Sequence, residues 1–524
     1  MRNFIFLLLV FCIPFRSLAE DKSSIKIEVG EKWWGALTHE GYIMPFESNT
    51  RVFNLFEEPT NQAAPLLVSS KGRYIWSNKP FIFQITDNEI KFQSDINDVT
   101  LVNAGTSLKD AYLAASKSHF QPDGDLPDKL FFSAPQYNTW IELVFNQNQA
   151  DILKYAHNII KNNYPPGVLM IDDNWQKYYG NYEFKPDLFP DPKAMVDELH
   201  RLGFKVMLWI CPLITPDSPE YRDLRRKEYL VKRKDGSLPA PIDWWNGISA
   251  CLDLTNPDAF EYIKNILKQM QEEYGIDGFK FDAGDVKHYL GDVSFYDSNA
   301  IAVDQTKKWS ELGLFFPFNE YRASWQMGGK ALVQRLRDKR ATWSDVETLI
   351  PNMLASGLLG YSYTCPDMIG GGSAGSSRNN ERPIDQEMFV RSCQIHALMP
   401  MMQFSAAPWR ILSEENSAIC RKAAELHLQM SDYIMQLAKE ASSTGEPIVR
   451  HLEYEFPHQG FENCIDQFML GNKYLVTPMV KSGNSRKVVL PKGNWKDELG
   501  KKWKGGQTIE ISVPLDRLPY FEQL

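Results

Sequence analysis

The chain reads as an α/β protein built on a (β/α)8, or TIM, barrel preceded by an antiparallel β-sandwich. Two patterns predict the barrel. From about residue 135 onward, short apolar runs alternate with amphipathic helical stretches, which is the signature of parallel βα units, and eight such runs fit one closed barrel. Polar residues then collect where the runs stop: Asp172, Trp209, Asp282, Arg322, Asp345 and Asp367 each stand at or just past the end of a different run. Barrels of this kind assemble their active sites at the C-terminal ends of their strands, so the pattern points to one site fed by many strands. A third pattern predicts the sandwich: between Ser24 and Phe132, short alternating runs lie between clusters of Asn, Asp, Gly and Pro.

At the N-terminus, Arg2, an apolar centre from Phe4 to Ile13 and Ser17-Leu18-Ala19 form the pattern of a signal peptide over 1–19, with the mature chain expected from Glu20. The apolar run is well short of the ~20 residues a membrane span needs, and no later stretch reaches that length. An exported protein without membrane insertion is therefore expected, periplasmic or secreted. A formal charge of -9 argues against a nucleic-acid partner, which would want a basic face. The cysteines at 211, 251, 365, 393, 420 and 464 show no paired spacing and are expected to be mostly buried free thiols. Nothing in the residues specifies an oligomeric state. With 524 residues, two to four domains are expected: the sandwich at 20–132, then the barrel from 133 to 445.

The eight strands are predicted at 137–145, 167–173, 204–210, 275–282, 314–321, 340–343, 360–364 and 397–404. The first is followed by a helix with Ile152, Ala156, Ile159 and Ile160 on one face. Asp191-Pro192 and Asn256-Pro257 each combine a capping side chain with a proline suited to the first helical turn. An insertion around 213–255, containing Trp244 and Trp245, interrupts the alternation. Ser344-Asp345-Val346-Glu347 is read as a capping box, starting a helix where Asp345 emerges.

Asp282 ends the run Gly278-Phe279-Lys280-Phe281 and is followed by small residues, which is how a buried strand delivers an acid to a site; Lys280 points to the same side of the strand. The plain alternative is a strand ending in Asp-Ala-Gly as turn punctuation. No metal and no cofactor are expected, because the nine His show no ligand-like spacing. The loop Gly370-Gly371-Gly372-Ser373-Ala374-Gly375 lacks the Gly-Lys-Ser/Thr ending of a phosphate-binding loop and is read as a mobile loop at the substrate.

Taken together, Ile171-Asp172-Asp173-Asn174-Trp175, Phe189-Pro190-Asp191-Pro192, Lys280-Phe281-Asp282, Arg322-Ala323-Ser324, Trp343-Ser344-Asp345 and Asp367-Met368-Ile369-Gly370-Gly371 resemble glycoside hydrolase family 31. Pro447-Ile448-Val449-Arg450, the stretch from Asp466 to Gly471 and Leu515-Asp516-Arg517-Leu518-Pro519 resemble its C-terminal β region, which would occupy 446–524. The resemblance implies an oligosaccharide or glycoside substrate and a retaining mechanism, with Asp282 as nucleophile and Asp345 as acid/base. It also implies that Asp172, Lys280 and Arg322 hold ring hydroxyls and that Trp209 packs on the sugar, with Asp173 and Asp367 binding substrate or supporting the loops. Where the family's α-glucosidases carry Arg-Asn-His, this chain has Gln403-Phe404-Ser405, which makes Ser405 a specificity position. Lys280-Phe281-Asp282-Ala283-Gly284 is similar to the family's α-galactosidase branch, while an α-glucosidase, an α-xylosidase or a non-catalytic sugar-binding protein stays open.

Overall fold

A computed structural model describes residues 23–93, 98–373 and 384–524. The leader expected at 1–19 and the end of the glycine-rich loop lie outside these residues.

The barrel forms from parallel strands at Gln136–Asn138, Val168–Ile171, Lys205–Ile210, Gly278–Phe281, Phe318–Tyr321, Gln334–Arg335 and Thr364–Cys365, with Met368–Ile369 and Gln403–Phe404 completing the ring. Strand seven is broken at Pro366-Asp367: Thr364–Cys365 pairs with strand six, Met368–Ile369 pairs with strand eight, and strand eight returns to strand one. Strands two and four are buried along their whole length, as expected for strands covered on both faces. At Gly278 an added Cβ would lie 1.8 Å from the Phe318 carbonyl oxygen, so strands four and five approach there only because the residue is glycine.

Helices start where the sequence places their caps. Asp191 accepts from the Ala194 N–H ahead of Pro192–Arg201, and Asn256 accepts from the Asp258 N–H ahead of Pro257–Tyr274. Several strands are shorter than predicted. Strand one stops at Asn138, whose side chain accepts from the Trp140 N–H and turns the chain into the helical turn Trp140–Leu143. Strand five begins only at Phe318, after a 3-10 turn at Gly313–Phe315, and the helix Gln386–Ala397 takes the first residue of the predicted strand eight.

Strand six is a larger correction. It lies at Gln334–Arg335, and the predicted 340–343 leads instead into the helical turn Trp343–Val346. Thr342, two residues before the expected cap Ser344, caps that turn by accepting from the Asp345 N–H.

The N-terminal region holds two sheets. One contains Ser23–Lys26, Phe53–Asn54, Ile82–Ile85 and Glu89–Phe92, and the other Trp33–Leu37, Gln62–Ser69, Arg73–Ser77 and Val99–Asn103. A helix at Leu108–His119 follows within the stretch read as all β. The second sheet also recruits a barrel segment, Ser324–Trp325, which pairs in parallel with Gln62 and Ala63. One hydrophobic cluster runs through the N-terminal sheets and the barrel without a break. The insertion folds as a three-stranded sheet of Leu213–Ile214, Ile242–Trp244 and Gly247–Cys251, with Trp245 and Asn246 at its hairpin tip. Toward the C-terminus a six-stranded sheet and a separate two-stranded sheet share their own cluster around Met469, Trp495 and Phe521. The six described cysteines are free, and all but Cys464 are buried. No described helix is long and apolar enough to cross a membrane.

Candidate active site

A cavity of about 540 Å³ opens at the C-terminal ends of the strands. Strand two delivers Asp172 and Asp173 to it, strand three Trp209, strand four Lys280 and Asp282, and strand five Arg322. Strand six delivers Arg335, with Asp338 just beyond. Trp140 and Phe145 also line it, as do Trp245 and Asn246 of the insertion.

Asp282 is only 8% exposed and is held at both oxygens. The Trp209 indole N–H donates to Oδ2 at 2.7 Å, the Ala283 N–H donates to Oδ1 at 2.9 Å, and Arg322 Nε stands 3.8 Å from Oδ1. Burial alone would raise its pKa, but the charges of Arg322, Lys280 and Arg335 outweigh burial and hold it below the usual carboxylate range. Asp282 is thus an ionised carboxylate at the floor of a cavity. Lys280 keeps its charge in the same way: Nζ lies 2.5 Å from Asp172 Oδ2, and that pairing overcomes the cost of burial.

Arg322 is the hub of the site. Its guanidinium contacts Asp285 at 3.1 Å and Asp338 at 3.4 Å, and sits 5.3 Å from the centroid of the Trp245 ring. Asp338 also accepts from Arg335 Nη1 at 2.6 Å. Burial pushes its pKa up, but the two guanidiniums, Arg335 first, pull it well below the ordinary value. With 32% of its side chain exposed, Asp338 remains open to the cavity.

Asp173 behaves differently. Its Oδ2 accepts from Asn246 Nδ2 at 3.0 Å and from the Tyr179 hydroxyl at 3.3 Å, while Oδ1 is buried with no hydrogen-bond partner among the described residues. Burial and the neighbouring charge of Asp172 push its pKa up to about 7. The Asn246 contact fastens the insertion hairpin across the barrel mouth and sets Trp245 against Arg322.

The structure therefore brings together Asp172, Asp173, Trp209, Lys280, Asp282 and Arg322, and leaves three predicted residues elsewhere. Asp345 does not line the cavity: its Oδ2 accepts from the Arg340 N–H at 2.6 Å, and it borders a separate small cleft. Strand six ends eight residues earlier than predicted, and the carboxylate it presents is Asp338. Asp367 is buried behind the site, accepting from the Lys339 N–H at 2.6 Å and from Arg335 at 3.2 Å. Ser405 is also buried, its hydroxyl donating to the Gly371 carbonyl at 2.7 Å, and it supports the glycine loop from behind. Arg335, Asp338, Trp140 and the hairpin tip are the residues that sequence reasoning missed. An acid three residues past the end of strand six was the available signal for Asp338, given the correct strand.

The family model for the TIM-barrel domain of glycosyl hydrolases family 31 matches residues 133–437, and that for the family's C-terminal domain matches 445–523. The chain is 31% identical over 432 residues to a myogenesis-regulating glycosidase of Mus musculus, covering 80% of this chain and 60% of that protein. It is 23% identical over 540 residues to an alpha-xylosidase of Emericella nidulans, covering 95% of this chain and 66% of that one. Thus it spans about three fifths to two thirds of the length of these two relatives. Among solved structures, a Flavobacterium johnsoniae GH31 dextranase complexed with glucose shares the fold at a TM-score of 0.82 and 19% identity, covering 96% of this chain and 66% of that one. A GH31 alpha-xylosidase from a soil metagenome complexed with xylose does so at 0.82 and 21%, covering 96% and 79%. The chain belongs to glycosyl hydrolase family 31.

Proposed function

We propose that the protein is an exported, retaining, exo-acting α-glycoside hydrolase in which Asp282 is the nucleophile and Asp338 the acid/base. One observation carries this: two carboxylates, from strand four and from just beyond strand six, face one cavity and share the Arg322 guanidinium. Double displacement needs carboxyl groups about 5 to 5.5 Å apart, and two carboxylates held by one guanidinium are compatible with that spacing. Asp345 borders a separate small cleft and not this cavity, which argues against it as the acid.

In the first step the Asp282 carboxylate attacks the anomeric carbon while Asp338 gives its proton to the glycosidic oxygen, so the aglycone leaves as an alcohol. In the second, Asp338 takes a proton from water, which attacks the same carbon and releases Asp282. Two inversions restore the α configuration. The Trp209 N–H fixes one oxygen of Asp282 and leaves the carboxylate aimed into the cavity. The paired Lys280 and Asp172 offer a donor and an acceptor to ring hydroxyls. Because the arginines favour ionised Asp338, the alkaline limb of kcat/KM, set by loss of its proton, is drawn toward low pH, while the acid limb is set by protonation of Asp282.

Within the family we favour α-galactosides. Lys280-Phe281-Asp282-Ala283-Gly284 supports this, as does the buried side chain after strand eight, where Ser405 sends no imidazole into the cavity. An α-xylosidase is the second reading, favoured by the relative of that name in Emericella nidulans. The leader at 1–19 supports a periplasmic or secreted location. The test is a panel of nitrophenyl α-glycosides, with proton NMR of the first-formed product. Faster hydrolysis of the α-galactoside with the α-anomer released first is expected. A kcat/KM for the α-xyloside at or above that for the α-galactoside selects the second reading. A β-anomer first refutes the double displacement, and no hydrolysis of any member refutes the enzyme.

A further inference from the structure

Arg322 and Arg335 carry the charges around both acids, yet the ends of strands five and six are joined by little of the barrel's own ladder, since these strands pair only at Tyr321 and Gln334. The gap is filled from outside. Gln62, fully buried at the start of a strand in the N-terminal sheet, places its terminal nitrogen 3.0 Å from the Arg322 carbonyl oxygen and 3.3 Å from that of Tyr321. The same atom lies 3.2 Å from the Arg335 carbonyl oxygen and 3.1 Å from Gln334 Oε1. Four acceptors around one terminal atom identify it as the amide nitrogen, with its two protons shared between the two strands. The opposite end, Oε1, accepts from the Thr38 hydroxyl at 3.4 Å. Next to it, Asn61 Nδ2 donates to the Arg322 carbonyl at 2.8 Å.

We infer that Gln62, assisted by Asn61, is a positioning residue of the active site, through which the N-terminal domain sets the spacing of Arg322 and Arg335 around the two acids. This rests on the roles proposed for Asp282 and Asp338. The reason is geometric. The amide grips the backbone of both arginines, whose side chains reach Asp282, Asp285, Asp338 and Asp367. Without the amide, buried carbonyls of both strands lose a donor, and the strand ends are free to part. A shift of 1 Å in such groups is enough to cost about 100-fold in rate.

The test compares Gln62→Ala, Gln62→Glu and the milder Asn61→Ala with the wild type by thermal melting, kcat and KM on the best nitrophenyl α-glycoside, and the pH profile of kcat/KM. For Gln62→Ala, kcat should fall roughly 10- to 100-fold with KM changed less than about threefold. The acid limb should move upward in pH, because Asp282 loses part of the Arg322 field that holds its pKa down. Gln62→Glu should be at least as impaired, having lost the donor, and Asn61→Ala should show the same changes on a smaller scale. If Gln62→Ala does not fold, Asn61→Ala alone decides. A lower Tm with an unmoved acid limb and unchanged kcat would reduce both residues to structural roles and overturn the inference. An independent arm labels the protein with 15N-arginine and assigns the Arg322 Nε–H signal by its loss in Arg322→Lys. A displaced signal in the Gln62 or Asn61 variant supports the inference even if the wild type hydrolyses none of the glycosides, and an unmoved one overturns it.

Discussion

Asp173→Asn isolates the cost of burying two adjacent carboxylates. In the folded chain the Asp173 pKa stands at about 7, raised by burial and by Asp172, while in the unfolded chain it returns to ~3.9. Between those values the folded protein keeps a proton that the unfolded one has lost. Wild-type stability therefore decreases as pH rises, by up to about 1.4 kcal/mol per unit, and the decrease ends near pH 7. From pH 5 to pH 8 this amounts to roughly 3 kcal/mol. Asparagine cannot ionise, yet its Oδ1 can still accept from Asn246 and Tyr179, so the hairpin contact survives. Of the groups nearby, Asp282 is held below the usual carboxylate range and Cys211 is pushed well above the usual thiol range, so neither changes protonation between pH 5 and pH 8. Calorimetry and urea unfolding at both pH values should show the variant gaining on the wild type by roughly 3 kcal/mol between pH 5 and pH 8. Parallel pH dependences would mean that Asp173 does not change its protonation in that range, and the argument from burial would fail.

Three further outcomes follow from the site. Asp282→Asn should abolish turnover with an unchanged circular dichroism spectrum, and substantial residual activity would remove Asp282 from the nucleophile's role. Asp338→Ala should lower kcat/KM by about 10²- to 10⁴-fold on poor leaving groups and be rescued by azide on activated aryl glycosides, whereas Asp345→Ala should stay within about tenfold of wild type. The reverse pattern would return the acid/base role to Asp345. Trp245→Ala, which removes the aromatic face over Arg322, should raise KM several-fold on disaccharides with little effect on Asp173 or its hydrogen bonds; an unchanged KM would show that substrate does not reach the hairpin.

What the sequence made legible was governed by how each strand is buried. Val168–Ile171, Lys205–Ile210 and Gly278–Phe281 are apolar enough to stand out, and the residues at their ends fall in the cavity. Strand six is two polar residues, Gln334 and Arg335, buried because Arg335 pairs with Glu320, Asp338 and Asp367. Hydrophobic patterning has no signal for a strand buried by charge pairing, so the reading slid to Trp343 and took Asp345 with it. Ser405 misled for another reason: its position after strand eight is right for the site, but a short side chain there turns back to the Gly371 carbonyl. Trp245 and Asn246 lie in an insertion, and where a hairpin tip lands is decided by tertiary contacts, here Asp173 and Tyr179, that local sequence does not encode.

The parallel pairing of Ser324–Trp325 with Gln62 and Ala63 bears on how such a barrel can be recombined. A breakpoint placed between the N-terminal sheet and the first barrel strand would look clean along the chain, yet it would separate two segments that are neighbours in one sheet. A barrel grafted onto a foreign β domain would arrive with buried carbonyls at Tyr321, Arg322 and Arg335 facing whatever the new partner supplied. Exchange of these parts between homologues is expected to succeed only when the two residues at the head of that donor strand travel with the barrel. The heritable unit of this active site is therefore larger than the barrel and discontinuous in sequence.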